Sequence, residues 1–254
     1  MLADESLNER AVRRLEIVEK RHAAYGEDFN SIEHARSTGR AHAVCIGDCH
    51  LRVIQRALQP PNAPPLMPHV WLDPCIVGGA TARGLRNPNS ESGAVPVFRR
   101  RIELAQPWQH MVFMLGEADT GFQLWYTRHT LGESIEAMHE TIDTYVGFLR
   151  EVHELGFDKL YVLSVPFTPG LRRIRKVNFE VSQEDRTELG RQYNLEMERR
   201  ADFYTYVDVT TGTLDPATGL VAEEYIDPRD PDHLLSEPYA RVIADELGPH
   251  LTPH

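Results

Sequence analysis

Short, continuous runs of apolar residues alternate with helix-forming segments along most of this chain. The clearest runs, 112–115 and 160–163, are apolar at every position. Strands that are buried on both faces of a parallel sheet read in this way, whereas half-exposed strands alternate apolar and polar residues. Strands that alternate with helices form right-handed βαβ units. The pattern therefore predicts a three-layer α/β/α sandwich around a parallel sheet of about five strands.

Five strands and five helical stretches are expected within one domain, residues 41–254. The predicted strands are Ala41–Ile46, Val70–Leu72, Met111–Leu115, Leu160–Val165 and Tyr204–Val209. The predicted helices are Leu51–Leu58, part of Gly93–Leu104, Ile135–Leu155, Glu184–Arg200 and Pro238–Leu247. Residues 1–40 are expected to form a helical N-terminal extension, since Ser6-Leu7-Asn8-Glu9 has the pattern of a capping box.

Composition restricts the partners that this chain is expected to have. Its net charge is −11, and nucleic-acid binding needs clustered Lys and Arg, so no nucleic-acid partner is expected. No apolar run approaches the ~20 residues that span a bilayer, and no signal peptide is visible, so no membrane partner is expected. The three cysteines form no evident disulfide framework, which is typical of a reducing cytosol. We therefore expect a cytoplasmic protein.

A cysteine lies where the first predicted strand turns into a helix. The run 43–46 ends in Gly47-Asp48-Cys49-His50, and a helix-forming segment follows directly. A helix N-terminus offers unpaired N–H groups and the positive end of a dipole, which push a thiol toward the nucleophilic thiolate. The sequence therefore predicts Cys49 as a nucleophile. The alternative is an inert cysteine buried at a strand end.

Further polar groups are expected at the same edge of the sheet, because the carboxyl ends of parallel strands meet there. Acyl transfer needs a nucleophile, a base, a group that orients the base, and donors for the oxyanion. We predict His233 as the base and Asp230, three residues earlier, as its orienting carboxylate. The backbone N–H groups of Cys49 and Gly79 are expected to form the oxyanion hole. An ordinary turn at Gly79 and a solvated Asp-x-x-His pair are the alternatives.

These blocks resemble those of the SGNH/GDSL hydrolase superfamily, over roughly residues 41–247. The order is Gly-Asp-Cys-His, a glycine-rich block at 79–90, Gly-x-x-Asp at 116–119, and Asp-x-x-His at 230–233. The two middle blocks look like a bacterial subgroup associated with polysaccharide or secondary-metabolite pathways. The resemblance implies a flavodoxin-like sheet, a Ser-His-Asp style of mechanism, and no metal or redox cofactor.

The chain departs from the pattern of the superfamily at two positions. Cys49 replaces the nucleophilic serine, and Ala118 replaces the asparagine whose amide serves the oxyanion hole. Asn87 and Asn89 are the candidates to supply the missing amide at the substrate.

Four other polar residues near these blocks are assigned to substrate binding: Asp48, His50, Glu117 and Asp119. An ionised Glu117 or Asp119 would repel an oxyanion. We therefore expect this pair either to hydrogen-bond its own loop or to recognise a cationic amine on the substrate.

A cysteine nucleophile widens the range of reactions that the site can perform. Its acyl-enzyme is a thioester, which reacts more readily with amines than an oxyester does. Transfer of an acyl group from a CoA or carrier-protein thioester to the cysteine has an equilibrium constant near one, because one thioester replaces another. The sequence therefore predicts an acyl-transfer enzyme. It leaves open an esterase or thioesterase, on one side, and an acyltransferase to an amine or hydroxyl acceptor, on the other.

Three classes compete with this interpretation. A non-catalytic protein that binds a glycan or acyl ligand is the main alternative, given the two departures. A zinc site is disfavoured, since Cys45 lies within a strand and no Cys-x-x-Cys pair exists. A nucleotide-binding module is disfavoured by the lack of Gly-x-Gly-x-x-Gly and of a Walker lysine.

Overall fold

The computed structural model describes residues 9, 12, 13, 16, 37–132, 136–167, 169 and 181–253. Within them, five parallel strands form one sheet in the order β2-β1-β3-β4-β5. The strands are β1 Ala41–Gly47, β2 Val70–Ile76, β3 His110–Met114, β4 Leu160–Leu163 and β5 Thr205–Val207. The order reverses between β1 and β3, as in flavodoxin-like folds, so a crevice is expected beyond their carboxyl ends.

Among the described residues from 37 onward, five α-helices and several short turns of helix accompany the strands. The α-helices are α1 Ala94–Glu103, α2 Leu124–Leu131, α3 Glu136–Glu154, α4 Gln183–Arg199 and α5 Glu237–Leu247. The 3-10 turns are Cys49–Leu51, Arg83–Arg86, Thr211–Thr213, Glu223–Tyr225 and Gly248–His250, and the π turns are Ile54–Leu58 and Asp119–Gln123.

The sheet separates two apolar layers, which confirms the predicted three-layer sandwich. One layer contains α1, α3 and α4 and the strand residues that face them, such as Ile46 and Phe113. The other contains residues 51–58 and α5, with Ala43 and Val112 from the sheet. Alternate residues of one strand thus enter opposite layers, and both faces of the sheet are covered.

The predicted helix Leu51–Leu58 takes a different form in the structure. A three-residue 3-10 turn, Cys49–Leu51, leads through two helical residues into the π turn Ile54–Leu58. Leu51, Val53, Ile54 and Leu58 are all buried, so packing on the sheet shapes this segment.

The predicted N-terminal helix lies largely outside the described residues. Of its apolar face, Val12 is described and is 48% exposed. Among the helices that the structure describes, none is both long enough and apolar enough to cross a membrane.

Candidate active site

The turn after β1 presents Cys49 at the carboxyl edge of the sheet. Gly47 permits the turn, because a Cβ on it would lie 2.2 Å from the carbonyl oxygen of Met114. The Asp48 N–H donates to that same oxygen at 3.4 Å. The Asp48 carboxylate in turn accepts from the His50 N–H at 2.9 Å and caps the short helix. These contacts fix the backbone on both sides of the thiol.

Three side chains from distant parts of the sequence form a hydrogen-bonded row at this edge. Cys49 Sγ lies 3.1 Å from His233 Nε2, and His233 Nδ1 lies 2.7 Å from Asp230 Oδ1. All three are partly accessible to solvent. The row therefore joins a thiol, an imidazole and a carboxylate in the order that a nucleophile, a base and an orienting group require.

The loop that carries His233 is held by its own hydrogen bonds. The Asp230 N–H donates to the carbonyl of Asp227, and the His233 N–H donates to the carbonyl of Asp230. Arg229 donates to both carboxylate oxygens of Asp227. From the segment after the thiol, an Arg56 guanidinium nitrogen lies 3.4 Å from Asp230 Oδ2. The second oxygen of the orienting carboxylate thus has a cationic partner.

Charge and hydrogen bonding favour the ionised form of Cys49. Burial opposes ionisation, but the hydrogen bond from His233 and the interaction with the neighbouring His50 outweigh it and lower the thiol pKa to about 6. The hydrogen bond to Cys49 correspondingly raises the pKa of His233. Cys49 also begins a continuous helical segment, residues 49–58, so the helix dipole that the sequence suggested acts in the same direction.

Two backbone N–H groups at this edge of the sheet lack a hydrogen-bond acceptor among the described residues. The carboxyl ends of β1 and β2 lie side by side, since the N–H of Val77, directly after β2, donates to the carbonyl of Gly47, the last residue of β1, at 2.9 Å. Two residues further, Gly79 is exposed and has φ +73°, which favours glycine. In the part of the chain that the structure describes, the N–H groups of Cys49 and Gly79 have no hydrogen-bond acceptor.

The other two thiols lie apart from the site. Cys45 and Cys75 are buried in opposite apolar layers, one on each side of the sheet, so the zinc set considered from the sequence is not assembled. Burial raises the pKa of Cys75 to about 12 and that of Cys45 further still. The described groups that do cluster are the neighbours Asp48, Cys49 and His50, whose ligand atoms lie within 4.8 Å of one another.

The structure places Asp48, His50 and Glu117 beneath the thiol, away from where a substrate is expected. All three are at most 1% exposed. His50 Nδ1 lies 3.3 Å from Asp48 Oδ1 and 3.7 Å from Glu117 Oε2. Their contacts are thus with one another, because the turn after β1 and the loop after β3 cover them.

Asp119 and the two asparagines also have structural contacts. Asp119 is fully buried and accepts the N–H groups of Ala82 at 2.6 Å and Arg83 at 3.2 Å, which is the loop-bonding option considered from the sequence. Burial raises its pKa to about 7. The Asn87 side chain accepts from the Asn89 N–H.

A cleft of about 640 Å³ begins at the Gly79 turn. Gly78, Gly79, Ala118 and Asn87 are among its lining residues. Asn89 does not line it. Its charged lining residues are Arg83, Arg86 and Glu91. The cleft is therefore polar and, among the described residues, carries one more positive than negative charge.

Arg56, Arg83 and Arg86 are three residues of this region that the sequence did not predict. Arg56 contacts a residue far along the chain, and no pattern in the sequence signals such a pairing. Arg83 and Arg86 stand inside the glycine-rich block, but only the fold shows that this block lines a cleft.

Known proteins share the fold but not the sequence. No protein-family model matches the chain, and no curated protein sequence matches it. A Streptococcus pneumonia protein provisionally named as a platelet activating factor aligns with a TM-score of 0.58 at 16% identity, over 98% of both chains. A lipase from a goat rumen metagenome aligns with a TM-score of 0.53 at 13% identity, over 83% of this chain and 97% of the lipase.

An inhibitor-bound aryl esterase from M. smegmatis aligns with a TM-score of 0.51 at 15% identity, over 82% of this chain and 97% of the esterase. At such identities the likeness concerns the fold. The chain shares the α/β fold of these solved structures, in agreement with the three-layer sandwich that the sequence predicts.

Proposed function

We propose that this protein is an acyl-transfer enzyme that uses Cys49 as its nucleophile. The row in which Asp230 contacts His233 at 2.7 Å and His233 contacts Cys49 at 3.1 Å carries the proposal. The solved structures named as a lipase and an aryl esterase share this fold, and their names support acyl chemistry. Asp230 fixes the tautomer and orientation of His233, which moves the proton of the thiol.

In the proposed reaction, the Cys49 thiolate attacks the carbonyl carbon of an acyl donor. The carbonyl π electrons move onto its oxygen, where the N–H groups of Cys49 and Gly79 stabilise the negative charge. Collapse of this intermediate expels the leaving group, which takes a proton from His233, and leaves an acyl thioester on Sγ. Water, an amine or an alcohol then attacks the thioester and gives up its proton to His233.

The charge of the cleft that begins at Gly79, one of the two proposed oxyanion donors, supports one class of substrate. Arg83 and Arg86 outnumber the single carboxylate of Glu91, so an anionic or hydroxyl-rich donor is favoured over a cationic one. A CoA or carrier-protein thioester has this character and exchanges readily with a thiolate. Since Glu117 and Asp119 are buried, we no longer assign a cationic acceptor to them.

The mass of the intact protein tests the proposal. Incubation with a panel of acyl thioesters and esters is expected to add one acyl group to the wild type and none to Cys49→Ala. Cys75→Ala serves as the matched control and is expected to be acylated like the wild type, because Cys75 is buried. A Cys49→Ala variant that retains turnover would exclude Cys49 as nucleophile.

The same experiment separates transfer from hydrolysis. Candidate amines and alcohols are titrated against a donor, and the acylated product is compared with free acid. We expect an acceptor to divert product, as in a biosynthetic acyltransferase; hydrolysis at every acceptor concentration would identify an esterase or thioesterase. Ala118, which stands where the superfamily has the oxyanion-hole asparagine, favours a second candidate function, that of a ligand-binding protein. Binding of the donor without any acyl adduct would indicate this function.

A further inference from the structure

A second imidazole lies beside the thiol and takes no part in the catalytic row. The His50 side chain is fully buried, and its ring centroid lies 4.9 Å from that of His233. A ring nitrogen of His50 belongs to the cluster whose ligand atoms, with Cys49 Sγ, lie within 4.8 Å of one another. The thiol is thus flanked by two imidazoles, one partly exposed and one enclosed.

The surroundings of His50 are those of a cation. Two carboxylates from different elements face its Nδ1 atom: Asp48 at 3.3 Å and Glu117 at 3.7 Å. All of these groups are buried, so their mutual attraction is weakly screened. Gly121 makes room for this arrangement, because a Cβ there would lie 2.6 Å from Glu117 Oε1.

The other ring nitrogen of His50, Nε2, is buried without a hydrogen-bond partner. An unsatisfied N–H in such a place costs free energy unless a negative charge lies nearby. The Cys49 sulfur, which lies within 4.8 Å of a ring nitrogen of His50, carries such a charge when it ionises. The thiolate and the His50 ring therefore stabilise each other.

We propose that His50 is a permanently charged positioning residue that holds Cys49 as a thiolate even when His233 cannot. The inference rests on the proposed function only in giving Cys49 a catalytic role. The two imidazoles then have different roles: His50 stabilises the thiolate, and His233 transfers protons. No proton passes to or from His50; the thiol proton leaves to His233 or to solvent.

The charges around His50 are consistent with this assignment. Attraction to Glu117 and Asp48 outweighs the effect of burial and raises the pKa of His50 to about 10. Among the described residues, Cys49 and His233 also interact with the His50 ring, and Asp119 interacts with Asp48 and Glu117. A serine in place of Cys49 would gain little from such a cation, since a hydroxyl does not ionise near neutral pH. Cys49 and His50 thus act as a pair.

The rate at which iodoacetamide alkylates Cys49, followed against pH, tests the proposal without any substrate. The wild-type profile is expected to have its midpoint near 6. His50→Gln is expected to move the midpoint up by at least one unit, so that alkylation at pH 6 slows about fivefold. His233→Gln is expected to keep a midpoint well below the ordinary ~8.5, although turnover is lost.

His110→Gln is the matched control, since it removes another buried imidazole that contacts Tyr161 and the carbonyl of Thr252. It is expected to leave the profile unchanged. A His50→Gln profile that superimposes on the wild type would overturn the proposal, as would a His233→Gln midpoint near 8.5.

A measurement on the wild type keeps the proposal testable if His50→Gln fails to fold. In a protein with ¹⁵N-labelled histidine, the ring of His50 is expected to keep both protons at pH 8. A neutral ring at that pH contradicts the proposal. Because alkylation and NMR need no acyl donor, failure here is distinct from failure of the acyl-transfer proposal, which the acylation experiment decides.

Discussion

At the scale of single residues, Ala118 determines how many donors can face the oxyanion. It is 8% exposed and lines the cleft together with Gly78 and Gly79. A methyl group has no hydrogen to donate. In the proposed mechanism the oxyanion therefore depends on two backbone N–H groups, those of Cys49 and Gly79.

Ala118→Asn is expected to raise turnover, because its amide adds a third donor at this place. One oxyanion donor is typically worth ~3 kcal/mol of transition-state stabilisation, so a gain of about tenfold or more is measurable in kcat. Ala118→Leu adds bulk without a donor and is expected to give no gain. Equal activity of the asparagine variant and the wild type would mean that another group already fills the position.

His233→Ala is expected to lower turnover by on the order of 10³-fold or more, because the thiol and leaving group lose their proton carrier. Cys49→Ala and the double variant Cys49→Ala/His233→Ala are expected to lose about as much turnover as His233→Ala. The effects of residues that act as one unit do not add. Steady-state kinetics of the three variants checks this. A double variant whose loss equals the product of the single losses would show that the two residues act independently.

At the scale of elements, one buried carboxylate joins two turns that border the cleft. Asp119 starts the π turn Asp119–Gln123 and accepts the N–H groups of Ala82 and Arg83, at the start of the turn Arg83–Arg86. Its side chain therefore sets the position of the turn that carries both cleft arginines.

Asp119→Ala is expected to lower the free energy of unfolding by about 2–4 kcal/mol, because two N–H groups lose their acceptor in a buried place. Asp119→Asn keeps one carbonyl oxygen and is expected to lose less. Urea denaturation of the three proteins measures the difference. An alanine variant as stable as the wild type would mean that water replaces the carboxylate.

The strands show what sequence alone can and cannot predict. Runs such as 112–115 and 160–163 identified the central strands, because burial on both faces leaves only apolar residues there. β2 was predicted to end at Leu72 but continues to Ile76 through Asp73 and Pro74. Pro74 is tolerated because β2 is an edge strand, and Asp73 is paired with Arg101 of α1. Neither the edge position of β2 nor the pairing of Asp73 with Arg101 can be read from the local sequence.

The candidate site likewise contains residues whose role the sequence predicts and residues whose surroundings only the fold shows. Asp230 and His233 were predicted as a pair because three residues of one loop separate them, and the structure brings them to Cys49. The burial of His50 and Glu117 depends on how the turns after β1 and β3 pack together. Composition and spacing carry no information about that packing, so both residues were assigned to the substrate.

At the scale of the whole molecule, the thiol and its proposed base depend on one apolar layer. Leu51 and Leu58 follow the thiol, Leu234 and Leu235 follow His233, and all four are buried in the same layer. The contact between Cys49 and His233 spans 184 positions of sequence. Packing, together with hydrogen bonds, keeps the two side chains at 3.1 Å.

This arrangement ties heat inactivation of the protein to melting of its core. Leu235→Ala is expected to cost about 2–5 kcal/mol and to lower the temperature of half-inactivation and the Tm by the same interval. Fast iodoacetamide labelling of Cys49 and circular dichroism, recorded on one heating ramp, measure the two together. Reactivity lost well below the Tm would show that the edge of the sheet loosens before the core. Coincident curves would make the reactivity of a single thiol a direct gauge of how much of the protein remains folded.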